Sequence, residues 1–309
     1  MTLLNETAKG VYIIAVTPFR DDGEIDFAST DRVVDFYLEK GATGLTVLGM
    51  MGEAPKLTSK EAHSLVSHVL ARVAGRVPVV VGVSSPGFAA MKEISARVMD
   101  AGAAGVMIAP PSTLRTDDQI VSYYSMAAET VGPKTPFVLQ DFPIATQVQI
   151  TPQVIRRVVA DNPNCVMLKH EDWPGLAKIS ELRSASDSGE RRISILVGNG
   201  GVFLPEELSR GADGAMTGFA YPEMMVDVWK AHAAGQTARA HDLFDAYLPL
   251  ARYEQQPGAG LAIRKYILAK RGVIASANLR KPGSALSRSD IADIEQLIMR
   301  QERRLQELG

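Results

Sequence analysis

The sequence contains very little cysteine. Cys165 is the only one in 309 residues, so no intrachain disulfide can form and a disulfide-held scaffold is excluded. A single cysteine at the start of a strand is far more often a packing residue than a reactive one. This composition fits a protein of the reducing cytoplasm.

The sequence also lacks long hydrophobic runs. No apolar stretch approaches the roughly 20 residues that a membrane-spanning helix needs. The first residues, Met1 to Glu6, do not combine a basic segment with a following apolar core, as a secretion signal would. We therefore expect a soluble, cytoplasmic protein that does not interact with membranes.

Neither sign of charge dominates. Lysine and arginine total 33 against 35 aspartates and glutamates, a net charge of -2, and like charges form no block. Nucleic acid is therefore not an expected partner. The five histidines show no spacing typical of metal ligands, so we predict no metal site; they are His63, His68, His170, His232 and His241.

What the sequence does contain is a regular alternation of short apolar runs with longer amphipathic segments. This rhythm predicts parallel strands joined by helices, and eight such units predict an α/β protein with a closed (β/α)8 barrel, the TIM barrel. The alternative is a doubly wound open sheet, which would be expected to have a glycine-rich turn after its first strand, where this chain has Thr17-Pro18-Phe19-Arg20. The predicted strands are Val11 to Thr17, Gly44 to Gly49, Val77 to Ser84, Gly105 to Pro110, Pro136 to Phe142, Val166 to Glu171, Ile193 to Gly198 and Gly214 to Gly218.

Helical patterns continue after the eighth unit. About three further helices are predicted, at 237–252, 258–271 and 287–308. Because the barrel is already complete, these helices should pack beside it. We therefore divide the chain into a barrel domain, residues 1–235, and a C-terminal helical extension, residues 236–309.

Lys169 stands in a short apolar run that reads as a buried strand. A buried lysine must find a partner, lose its proton or take part in chemistry, because an isolated buried ammonium is costly. Residues two apart on a strand share a face, so Lys169 and Glu171 should point into one pocket. Lys169 is thus a candidate imine-forming nucleophile. The alternatives are a lysine whose head group reaches water and a structural ion pair with Glu171.

Several motifs occur in order at the predicted strand ends. They are Val16-Thr17-Pro18-Phe19, Gly49-Met50-Met51-Gly52-Glu53, Leu168-Lys169, Gly198-Asn199-Gly200 and Gly214-Ala215-Met216-Thr217-Gly218. Together they resemble the dihydrodipicolinate synthase and N-acetylneuraminate lyase superfamily, Schiff-base lyases that act on pyruvate and other 2-keto acids. The resemblance implies that Lys169 forms the imine without a cofactor. It also implies a homo-oligomer, either a tetramer or a dimer.

The chain departs from the synthases at four places. Gln140 stands where they have a tyrosine, and Met50 and Met51 replace a pair of hydroxyl residues. No aromatic residue occurs at 110–112, where their interface tyrosine should fall, and Ala145 occupies the place of an arginine. Dihydrodipicolinate synthesis is therefore not the expected activity.

A narrower resemblance points to another activity. Gln140-Asp141-Phe142-Pro143, Lys169-His170-Glu171 and Gly272-Val273-Ile274-Ala275-Ser276 are similar to the 2-keto-3-deoxy-L-arabonate dehydratases. We therefore predict dehydration of a 2-keto-3-deoxy sugar acid to a dioxo acid. Glu171 is the predicted base, and Gln140 either orients a hydroxyl or water or fills the volume of the missing tyrosine. The expected substrate-binding residues are Thr17, Met50, Met51, Gly198, Met216 and Thr217.

Other functions stay open at this point. The imine on Lys169 can become an enamine by loss of a C3 proton or by cleavage of the C3–C4 bond. If the enamine arose by cleavage of that bond, the protein would be a pyruvate-dependent class I aldolase or a related synthase-like enzyme. A barrel that binds a keto acid without turnover would be a sensor.

Overall fold

The computed structural model describes residues 2–173 and 175–309. Eight parallel strands form one closed barrel, in which each strand pairs with the next and β8 pairs with β1. The predicted (β/α)8 barrel is therefore confirmed. The strands are β1 Gly10–Ile14, β2 Gly44–Val47, β3 Val79–Gly82, β4 Gly105–Ile108, β5 Phe137–Asp141, β6 Cys165–His170, β7 Ser194–Val197 and β8 Gly214–Thr217.

The predicted strands all overlap the observed ones but extend too far. Each prediction runs one to three residues past the carboxyl end of its strand. At those ends the chain leaves the sheet to form the mouth of the barrel. Leu48, just after β2, already has a φ of 55°, a left-handed conformation that ends the strand.

Helices follow the strands around the outside of the barrel and continue beyond β8. Thr58 begins α2 with the predicted capping box, in which its side chain and that of Glu61 bond each other's backbone N–H. Within the described residues, each helix is too short or too polar to cross a membrane. The helices are α1 Phe27–Glu39, α2 Ser59–Val73, α3 Phe88–Asp100, α4 Asp117–Val131, α5 Pro143–Thr146, α6 Pro152–Asp161, α7 Leu176–Asp187, α8 Leu204–Ser209, α9 Pro222–Ala233, α10 Thr237–Glu254, α11 Gly260–Lys270 and α12 Arg288–Leu308.

The apolar core has two parts, separated by the wall of the barrel. One part lies between strands and helices, and the other fills the barrel interior. The strand alternation sorts residues between them, so that Leu168 of β6 belongs to the outer part and Met167 to the inner part. The inner part comprises Leu4, Tyr12, Ile14, Val80, Met107, Val138, Val166, Met167, Leu196 and Met216.

The C-terminal helix α10 packs against α9 of the barrel and against α11 and α12, and both α10 and α11 contact the segment that follows β8. Arg264 of α11 forms a buried ion pair with Glu254 of α10, with 2.6 Å between Nε and Oε1. Arg264 also donates to the carbonyl of Gly218, and Glu254 accepts from the backbone N–H of Ala220 at 3.0 Å. The extension therefore holds part of the barrel mouth.

Candidate active site

Three predicted site residues come together at the carboxyl ends of two neighbouring strands. Gln140 on β5 is the register partner of Lys169 on β6, and Glu171 follows directly after β6. Each of the three residues is only 5% exposed. The barrel therefore brings an amine, a carboxylate and an amide together at one site that is largely shielded from solvent, as the strand alternation predicts.

One carboxylate oxygen connects the three side chains. Lys169 Nζ lies 2.8 Å from Glu171 Oε2, and Gln140 Nε2 donates to the same oxygen, also at 2.8 Å. The amine and the carboxylate are thus in direct contact, close enough for a proton to pass between them. The amide of Gln140 orients Glu171, a role that the sequence analysis did not anticipate.

Backbone groups around Glu171 fix its position. Its N–H donates to the carbonyl of Asp141 at 2.8 Å, and its carbonyl accepts from Asn199 Nδ2 at 3.1 Å. Gly198, at the end of β7, lies beside the Glu171 side chain, where a Cβ would stand 2.5 Å from Oε1. The predicted site residue Gly198 therefore provides the space that the carboxylate occupies.

A second charged cluster lies on the opposite side of the barrel wall. Asp141, fully buried, pairs with Lys178 of α7 at 2.7 Å, and Lys178 also pairs with Asp172 at 2.7 Å. Asp141 is thus a structural residue on the outer face, as strand alternation predicts. Lys178 was missed, because a lysine on an amphipathic helix ordinarily faces solvent.

The segment after β2 forms a single 3₁₀ turn, Met50–Gly52, at the barrel mouth. The N–H groups at the start of such a turn have no partner within it, so those of Met50 and Met51 are available to an anion. Gly49 faces the interior, since a Cβ there would stand 3.0 Å from Ile14 Cγ2. Met51 packs against the inner core, whereas the Met50 residue is 55% exposed.

The two predicted threonines at the mouth bond the backbone of neighbouring loops. Thr17 is 1% exposed and its hydroxyl donates to the carbonyl of Gly52 at 2.6 Å. The hydroxyl of Thr217, which is 5% exposed, accepts from the N–H of Gly200 at 2.9 Å. Met216 is fully buried in the inner core. The two threonines thus hold loops at the barrel mouth, and Met216 fills the barrel interior.

Two other ionisable groups of the barrel are held in their neutral forms. Burial raises the pKa of the Cys165 thiol to about 12, and burial likewise raises the pKa of the Tyr12 phenol to about 12. Across the described ranges, no group of three His, Cys, Asp or Glu side chains is arranged to hold a metal ion. Lys169 and Glu171, 2.8 Å apart, remain placed to exchange a proton directly.

Comparison with known proteins identifies one protein family. A model of the Dihydrodipicolinate synthetase family matches residues 7–301. The chain is 32% identical over 286 residues to the L-2-keto-3-deoxyarabonate dehydratase of Azospirillum brasilense, an alignment covering 89% of this chain and 88% of the relative. It is 28% identical over 245 residues to the 4-hydroxy-tetrahydrodipicolinate synthase of Methanocaldococcus jannaschii, with 78% of this chain and 81% of that protein covered.

Similarity to a solved structure extends over the entire fold. The crystal structure of dihydrodipicolinate synthase from Rhodopseudomonas palustris is 53% identical to this chain and has a TM-score of 0.95. The superposition covers 97% of this chain and 100% of the other. The barrel and the C-terminal helices therefore both have counterparts in that protein.

Proposed function

The chain belongs to the dihydrodipicolinate synthetase family, and we propose that within this family of lyases it dehydrates a 2-keto-3-deoxy sugar acid. A substrate such as 2-keto-3-deoxy-L-arabonate would react as an imine on Lys169, with no cofactor. The observation that carries the proposal is the single oxygen, Glu171 Oε2, that contacts both Lys169 and Gln140. The similarity to the A. brasilense dehydratase supports the same substrate class.

Imine formation needs Lys169 as the neutral amine, whose proton passes to water or to the Glu171 carboxylate 2.8 Å away. The amine attacks C2 of the keto acid, and the C2 oxygen leaves as water after gaining one proton from the amine and the proton that Lys169 gave up. A protonated imine remains beside the Glu171 carboxylate. The positive nitrogen withdraws electrons from C2 and so acidifies the C3 hydrogens. Because Lys169 and Glu171 are both 5% exposed, the new charge is stabilised by the carboxylate with little competition from water.

Elimination then needs a base near C3 and a leaving group at C4. Glu171 takes the C3 proton, giving an enamine, and the enamine expels the C4 hydroxyl, which leaves as water with the proton that Glu171 had taken. A further proton then moves from C5 to C3, leaving an enol at C4 and C5. The enol becomes an aldehyde by losing its hydroxyl proton and gaining a proton at C4, and hydrolysis of the imine frees Lys169 and a dioxo acid. The net reaction is the loss of one water. Gln140 keeps Glu171 pointed at the reacting carbons throughout.

The substrate carboxylate is assigned to the turn after β2. The N–H groups of Met50 and Met51 have no partner within the turn and would bind this anion in the manner of a backbone nest. The methionine side chains would shape the remainder of the pocket. Thr17 and Thr217 support the adjoining loops through their hydroxyls.

A second candidate function is synthesis of 4-hydroxy-tetrahydrodipicolinate. The observation in its favour is the 53% identity to the R. palustris protein whose structure is described as a dihydrodipicolinate synthase. Gln140, which stands at the tyrosine position of the synthases, argues against it. Aldol cleavage to pyruvate and an aldehyde would pass through the same enamine and is the third possibility.

One experiment separates these activities. The purified protein is incubated with a panel of 2-keto-3-deoxy acids, and the formation of pyruvate is compared with that of dioxo acids. Pyruvate plus aspartate semialdehyde is tested in parallel for condensation. Dioxo acid without pyruvate supports dehydration, and pyruvate release or condensation would replace it with the corresponding alternative. Failure of borohydride to trap any 2-keto acid on Lys169, together with no turnover, would instead favour the sensor.

We also propose that the protein is a homo-oligomer, a tetramer or a dimer, as the family resemblance implies. Light scattering of the purified protein measures the mass directly. A mass of one chain, 33.3 kDa, would contradict this proposal.

A further inference from the structure

The turn that follows β2 is flanked by two residues in the left-handed conformation. Leu48 precedes the Met50–Gly52 turn and Glu53 follows it, and each has a φ of 55°. The left-handed region is unfavourable for residues with a Cβ, and it persists only where surrounding contacts enforce it. Some interaction outside the turn must therefore hold this conformation.

Glu53 supplies that interaction through a buried network with the C-terminal extension. It is 2% exposed, and its Oε1 lies 2.6 Å from Nζ of Lys265 on α11. Its Oε2 accepts from Lys56 Nζ at 2.8 Å and from the backbone N–H of Arg280 at 3.1 Å. One carboxylate thus ties the end of the turn to its own loop and to two distant parts of the chain.

Lys265 is enclosed by its partners. It is completely buried, donates a second hydrogen bond to the carbonyl of Asn278 at 2.9 Å, and lies 4.5 Å from the centre of the Phe19 ring. A substrate has no route to its amine, so Lys265 is not a second nucleophile. Burying this charge is costly, and in the fold it is compensated mainly by Glu53.

We propose that Lys265 and Glu53 are positioning residues whose ion pair holds the Met50–Gly52 turn in the conformation that presents its N–H groups to the substrate carboxylate. This inference rests on the proposed function, in which Lys169 forms the imine. Thr17 holds the same turn from the other side, through its bond to the carbonyl of Gly52. The C-terminal extension therefore contributes to substrate binding without contacting substrate.

The test compares two carbonyl compounds that differ at the group next to the reacting carbon. Pyruvate has a carboxylate there, and hydroxyacetone has a neutral hydroxymethyl group. Both are trapped on the full-length protein with borohydride, and the modified fraction is measured by mass spectrometry over a range of concentrations. The Lys265→Met variant is compared with wild type and with Lys270→Met, a control on the same helix whose side chain is 46% exposed.

The expected result is a selective loss of pyruvate binding. In Lys265→Met, the pyruvate concentration for half-maximal trapping should rise roughly 10- to 100-fold, because displacements of about an ångström weaken positioned contacts by such factors. The hydroxyacetone curve and the maximal trapped fraction should stay at wild-type values, and Lys270→Met should match wild type with both compounds. Equal shifts for the two compounds, or no shift, would overturn the inference.

A double variant guards against loss of folding. Lys265→Met leaves Glu53 buried without its main partner, whereas Glu53→Gln/Lys265→Met removes both charges and is often much better tolerated in a buried pair. The double variant should show the same selective rise for pyruvate. Recovery of normal pyruvate trapping in the double variant would mean that the pair serves stability alone and would overturn the positioning role. A wild-type protein that traps neither compound would instead refute the imine on Lys169, and with it this inference.

Discussion

Gly198 lies against the carboxylate of Glu171, so that a Cβ on residue 198 would stand 2.6 Å from Glu171 Cδ. Carbon atoms that are not bonded do not approach so closely. Any side chain at residue 198 would therefore collide with the side chain of Glu171 in its present position. The φ of Gly198 is -111°, so the residue does not lie in the left-handed region that favours glycine. The glycine leaves the room that the Glu171 carboxylate occupies.

Gly198→Ala should therefore displace Glu171 while leaving the barrel folded. We expect turnover to fall roughly 10- to 100-fold, because the proposed base moves by a fraction of an ångström or more. Borohydride trapping of pyruvate on Lys169 should remain. Gly87→Ala is the matched control, since a Cβ at residue 87 meets no atom within 4 Å. Wild-type turnover in Gly198→Ala would show that the position of Glu171 is not critical.

The features that could be predicted from the sequence are those set by local patterns. Strand alternation placed Lys169 and Glu171 on one face and Asp141 on the other, and the structure agrees. The rhythm of apolar runs predicted the barrel, because each βα unit carries its own signal. The ends of the strands were less certain, since the chain turns away from the sheet at residues such as Leu48 without a glycine to mark the change.

The features that could not be predicted depend on contacts between distant residues. Glu53 and Lys265 are separated by 212 positions, and nothing near either one in the sequence indicates the other. Lys178 looks like a surface residue of α7 until the fold brings Asp141 beside it. The contact from Gln140 to Glu171 likewise arises from strand register, which the sequence alone does not determine.

Lys169→Ala should abolish turnover and borohydride trapping, because the variant lacks the proposed nucleophile. Lys169→Arg should be equally inactive, since a guanidinium stays protonated and cannot condense with a carbonyl. Circular dichroism and size-exclusion chromatography check that both variants keep the fold. Turnover of the natural substrate by either variant would rule out the imine mechanism.

Glu207 on α8 should make stability depend on pH. It is 7% exposed, and among the described residues its Oε2 has no hydrogen-bond partner. Burial, together with the nearby charge of Glu206, raises the pKa of Glu207 from 4.5 to about 8. Between these two values the folded protein binds a proton that the unfolded chain has released, so stability should fall as the pH rises through this window.

Glu207→Gln should remove that dependence. Wild type and variant should have similar free energies of unfolding at roughly pH 3.5, about one unit below the unfolded pKa, where the carboxyl is largely protonated in both states. At pH 8 the variant should be more stable by roughly 2–4 kcal/mol, since one pKa unit corresponds to about 1.4 kcal/mol. Urea unfolding at both pH values measures the difference. Glu93→Gln, at a side chain that is 59% exposed, is the control and should show no such trend.

Glu171→Gln separates the two roles proposed for this carboxylate. The amide has nearly the same shape but no basicity, so the variant should still form the imine while proton removal at C3 slows. Loss of a general base typically costs 10²- to 10⁴-fold in rate, or roughly 3 to 5 kcal/mol of barrier. Mass spectrometry after borohydride reports the imine, and deuterium uptake at C3 from heavy water reports proton removal.

Each outcome of that experiment identifies a different function for Glu171. Normal trapping with slow exchange supports the general base, since the amine then reacts without help from the carboxylate. Normal trapping with wild-type exchange would reduce Glu171 to a structural partner of Lys169. Loss of trapping would mean that the 2.8 Å contact acts earlier, because the carboxylate must then accept the lysine proton before the amine can attack.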